Sequence, residues 1–102
     1  MSKQIILRRR EYTLKNNFIE SVAWKVPVSK MYPEGVKYTF TFIEKNKRII
    51  AIDNYNYESH HIHYYKSKIP FTFRGLIQTE KLFLKLVEDY ENDKNKRNKD
   101  LY

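Results

Sequence analysis

Apolar and polar positions alternate most cleanly over residues 36–43, where Tyr38, Phe40 and Phe42 oppose Lys37, Thr39, Thr41 and Ile43. Successive side chains on a strand point to opposite faces, so this segment predicts a strand with one buried and one polar face. Residues 5–12 predict an earlier strand that begins apolar and ends in Arg8, Arg9 and Arg10. Alternation there puts Arg8 and Arg10 on one face and Arg9 on the other. Residues 18–28 predict a second strand, with Phe18, Glu20, Val22, Trp24 and Val26 opposite Ile19, Ser21, Ala23 and Lys25, and with Pro27 ending regular pairing. Asn16 and Asn17 mark the turn between these two, and Pro33 and Gly35 punctuate the loop over residues 29–35.

A hairpin turn over residues 44–47 leads to a fourth strand over residues 48–53. A fifth is predicted over residues 60–65, with His61, His63 and Tyr65 on one face and His60, Ile62 and Tyr64 on the other. Residues 66–70 read as a connection, and residues 71–73 as a short extended piece. Leu76, Thr79, Leu82, Phe83, Leu86, Val87 and Tyr90 then recur at helical spacing, which predicts one amphipathic helix over residues 76–91, with Gly75 as its N-cap. The expected fold class is α+β: an antiparallel meander of about five strands with the C-terminal helix packed on one face, formed by a single domain over residues 1–91. Residues 92–102 are polar without apolar periodicity and predict a flexible tail. The face away from the helix stays open.

At 102 residues the chain has room for one modest core. No run approaches the ~20 apolar residues that cross a bilayer, so no membrane partner is expected. Cysteine is absent, which excludes disulfides and thiolate metal sites and fits a cytoplasmic protein. The net charge of +8 is unevenly placed. Residues 1–50 hold eleven Lys or Arg against four Glu, giving +7, whereas residues 51–102 hold nine against eight acids, giving +1. Such a basic half favours an anionic partner, with nucleic acid first.

All three histidines, His60, His61 and His63, lie within four positions, just after Asp53-Asn54. Histidine exchanges protons near cellular pH, so clustering every copy points to a site. Three chemistries fit these residues. In the first, the protein is a metal-independent endoribonuclease. His61 and His63 act as acid and base, with His60 as a further catalytic candidate. Asp53 orients an imidazole, and Arg8, Arg10, Arg48, Asn54 and Tyr65 contact RNA. In the second, the histidines and a carboxylate hold a divalent metal, although adjacent His60 and His61 diverge on a strand. In the third, the chain is a non-catalytic basic module that binds nucleic acid or a protein partner. A homo-oligomer is compatible with each.

Trp24 with Pro27, Gly35 and Tyr38, then Asp53-Asn54, then His60-His61-x-His63, then Phe71-x-Phe73 before an amphipathic helix, together resemble the TumE family over roughly residues 8–91. Its members are toxins of small prokaryotic toxin–antitoxin modules. The resemblance implies a toxin encoded beside a helix-turn-helix antitoxin, growth inhibition, and RNA as target. It places Asp53, Asn54, His60, His61 and His63 on the family's polar motif. The chain departs from the family where a Gly-Lys-Gly-like stretch precedes the histidines: residues 56–59 read Asn-Tyr-Glu-Ser, without lysine or glycine.

Overall fold

The computed structural model of the chain describes residues 4–55 and 59–93. Six strands, β1 (Gln4–Tyr12), β2 (Phe18–Lys25), β3 (Val36–Glu44), β4 (Lys47–Asp53), β5 (His61–Tyr64) and β6 (Ser67–Pro70), precede one helix, α1 (Leu76–Asn92). The strands pair antiparallel in chain order, β1-β2-β3-β4-β5-β6. The fold is therefore the α+β meander with a C-terminal helix that the alternation predicts. No helix among the described residues is long and apolar enough to cross a membrane.

The turns follow from residues that tolerate positive φ. Lys45 (φ 52°) and Asn46 (φ 65°) join β3 to β4 as a two-residue hairpin, a geometry that matches strand twist. Asn16 (φ 65°) does the same work between β1 and β2. β2 ends at Lys25, earlier than the expected residue 28. Val26 still donates its N–H to Gly35 O, but Pro27 has no N–H to continue the ladder.

One expectation is corrected. Residues 67–70 form a sixth strand where a connection was expected. Ser67-Lys68-Ile69-Pro70 is exposed throughout, so its sequence carries no alternation of buried and exposed positions. Its proline is tolerated because β6 is an edge strand, with no further partner needing that N–H.

The register sorts the sheet into two faces. Ile19, Ala23, Tyr38, Phe40, Phe42, Ile50 and Ile52 turn toward α1 and close a core with Phe83, Val87 and Tyr90. Tyr38, Phe40, Phe42, Ile50, Ile52 and Phe83 are fully buried. Leu76, Leu82 and Leu86 pack at the margin of this core. Polar clamps fix the helix to the sheet. Glu91 accepts from Thr13 Oγ1 (2.6 Å) and Asn17 Nδ2 (2.8 Å), Tyr90 donates to Glu44 (2.7 Å), and Arg9 pairs with Glu80.

Candidate active site on the open sheet face

The face away from α1 is read row by row from the register. Thr39 stands opposite Asp53, and Asp53 opposite His61. In the next row Thr41 stands opposite Ala51, Ala51 opposite His63, and His63 opposite Lys68. Neighbouring strands lie about 4.8 Å apart and same-face residues about 7 Å apart along a strand, so these rows bring two imidazoles, a carboxylate and an ammonium into one patch. His63 Nε2 lies 3.4 Å from Asp53 Oδ2, with both side chains less than one-fifth exposed. A carboxylate on one ring nitrogen fixes the tautomer and orientation of the imidazole. The Nδ1 of His61 is buried without a hydrogen-bond partner among the described residues.

His60 does not join this patch. It precedes β5 and turns to the α1 side, where its ring stacks on Phe73 with centroids 4.2 Å apart and planes 7° from parallel. Its Nδ1 lies 2.9 Å from Tyr38 Oη and its Nε2 lies 3.2 Å from Glu34 Oε2. A neutral His60 protonated on Nε2 satisfies both contacts, accepting from the phenol and donating to the carboxylate. Burial, and then Asp53 and Glu34, push the Tyr38 hydroxyl well above the ordinary phenol range, which keeps it a donor.

Asn54 is buried and both ends of its amide are engaged: Oδ1 accepts from Tyr38 N (3.1 Å) and Nδ2 donates to Val36 O (2.9 Å). It ties the end of β4 to the start of β3. Tyr65 departs from the predicted face. It sits in the β5–β6 turn with φ 55°, and its ring packs against Tyr64 and Tyr90 at the core margin. A left-handed turn residue breaks the period-2 alternation that placed it beside His61 and His63. Arg8 and Arg10 do lie on the open face, but on β1, four strands or about 19 Å from β5 by strand spacing. Arg10 pairs with Glu20 at 2.6 Å. Arg48 stands opposite Ile43 on the open face, past a bulge at Ile49.

Three polar residues beside His63 or Asp53 are not singled out by the sequence pattern: Lys68 opposite His63, Thr39 opposite Asp53, and Tyr55. Tyr55 N lies 3.5 Å from Asp53 Oδ1. Its hydroxyl is pushed up to about 12, first by burial and then by Asp53 and Tyr32. Reading residues 65–66 as a two-residue turn would have placed Lys68 opposite His63. Among the described residues no three His, Cys, Asp or Glu side chains converge as a metal-binding group.

A family model described as Toxin TumE matches residues 3–91. The chain belongs to the TumE toxin family. Comparison with curated proteins and with solved structures returns no match. The fold divides the residues that carry the TumE resemblance. Asp53, His61 and His63 share the open face, whereas Asn54 and His60 are built into the helix side. The departure from the Gly-Lys-Gly-like stretch falls on residues 56–58, outside the described residues, and on Ser59, which takes a left-handed φ of 60°.

Proposed function

We propose that this TumE-family toxin is an endoribonuclease that cleaves RNA by histidine acid–base chemistry without a metal. The observation that carries this reading is the placement of His61 and His63 on one open face with Asp53 against His63. One imidazole takes the proton of the ribose 2′-hydroxyl, and the freed O2′ attacks phosphorus. The P–O5′ bond breaks, and the other imidazole protonates the leaving O5′. The products are a 2′,3′-cyclic phosphate and a 5′-hydroxyl. Each proton transfer contributes on the order of 10²–10⁴-fold. Asp53 orients His63, and Lys68 across the ladder supplies positive charge to the phosphorane-like transition state. His60 and Asn54 brace the sheet behind this face. Arg8, Arg10 and Arg48 steer RNA across the basic face.

The protein works in the cytoplasm beside a helix-turn-helix antitoxin that neutralises it by masking the open face. Competition between antitoxin and RNA tests the masking, and simultaneous, independent binding of both contradicts it. The enzymatic reading is tested by incubating the purified protein with single-stranded RNA in EDTA. Cleavage of RNA with matched DNA intact is expected, since only RNA carries the attacking 2′-hydroxyl. Activity lost in EDTA and restored by one divalent ion would move the chemistry to a metal. RNA binding without cleavage would make the chain a non-catalytic module.

A further inference from the structure

Trp24 and Lys37 are register partners on the face away from α1, and Tyr55 follows the end of the adjacent strand β4. The Nζ of Lys37 sits 4.7 Å from the Tyr55 ring centroid and 5.8 Å from that of Trp24. An ammonium shared by two rings is a cation–π arrangement. Neither ring belongs to the hydrophobic core, which lies on the opposite face. Both are half-buried, so each keeps part of its surface toward solvent. Lys37 is two residues along β3 from Thr39, the register partner of Asp53. The aromatic row therefore runs one step, about 7 Å, from the row that holds Asp53 and His61.

We propose that Trp24, Lys37 and Tyr55 form a nucleobase subsite that stacks the base of a single-stranded nucleotide next to the phosphate held between His61 and His63. This rests on the reading of RNA as substrate and adds how its strand is gripped. Every base has a π-face, so two rings receive a base without demanding a sequence. Lys37 moves from the rings to the neighbouring phosphate, replacing one cation contact by another. The subsite selects single strands, because a base paired in a duplex is unavailable to an aromatic ring on a sheet surface.

Trp24 is the sole tryptophan of the chain, so its fluorescence reports on this row alone. The test is a titration of the full-length protein with a short 2′-O-methylated oligouridylate, which lacks the attacking hydroxyl. Saturable quenching of Trp24 is expected. An abasic oligonucleotide of equal length should bind about tenfold more weakly and leave the fluorescence unchanged. Tyr55→Ala and Lys37→Ala should each weaken oligouridylate binding about tenfold with an unchanged unfolding midpoint. Binding without quenching, or equal affinity for the abasic strand, would overturn the subsite and leave the cleavage reading standing on its own assay. Absence of any binding would also overturn it, and the RNA-cleavage assay would decide the parent reading separately.

Discussion

The two faces of the sheet are made by the same strands and alternate residues, yet they differ in every physical respect. Toward α1, β3 presents Tyr38, Phe40 and Phe42, all inaccessible to solvent, with Phe40 packed on Phe83, Phe42 on Tyr90 and Tyr38 on Phe73. Away from α1, the intervening residues are Lys37, Thr39 and Thr41. The histidines obey the same sorting. His60 goes to the closed side as a hydrogen-bonded, stacked part of the core, whereas His61 and His63 go to the open side beside Asp53. Residue type alone therefore does not define the site. One position along the chain separates a histidine that holds the fold from one that can meet a substrate.

This contrast is broken most severely from the closed side. Phe83→Ala should lower stability by about 3–5 kcal/mol, because it empties a fully buried position against Phe40. Urea denaturation checks it, and a loss below about 1 kcal/mol would mean the core is not organised around the helix. Asn54→Ala should cost about 1–3 kcal/mol by stranding the Tyr38 N–H and Val36 carbonyl. If Asn54 instead contacts substrate, cleavage will fall while the urea midpoint stays put.

Phenols on both sides of the sheet also predict a pH response. Tyr38, Tyr55 and Tyr90 all hold their protons more tightly in the fold than the ordinary value of 10.0, with Tyr55 at about 12. Above pH 10.0 the unfolded chain loses these protons first, so the folded state binds more protons there and stability falls as pH rises. Below that point these groups contribute no slope. Urea midpoints at about pH 8 and about pH 11 should differ, with the lower one at high pH, and equal midpoints would remove burial of these phenols as a factor. The smallest effect belongs to the open face: Arg10→Ala breaks only the solvent-exposed pair with Glu20 and should change stability by about 0–1 kcal/mol.

Period-2 alternation made most of the fold legible, including the partition of His61 and His63 from His60. It works where a strand is long and one face is buried, as in β3. It was silent at β6, whose four exposed residues include a proline, and it misplaced Tyr65, whose left-handed turn resets the alternation. Asn54 was legible as part of a polar motif but not as a brace, because its partners lie 16 and 18 residues away in sequence and meet it only in the folded sheet. Lys68 and the Lys37 cluster escaped for the same reason: their neighbours are set by cross-strand register.

The division of labour between histidines is tested most directly by measuring cleavage rate and unfolding midpoint together for His60→Ala and His63→Ala. His63→Ala should lose at least about 100-fold in RNA cleavage with an unchanged midpoint. His60→Ala should lower stability by about 1–3 kcal/mol, through the stranded Tyr38 hydroxyl and lost stacking, while folded molecules keep their rate. Retained cleavage in His63→Ala, or a stable His60→Ala that no longer cleaves, would contradict the assignment of chemistry to the open face.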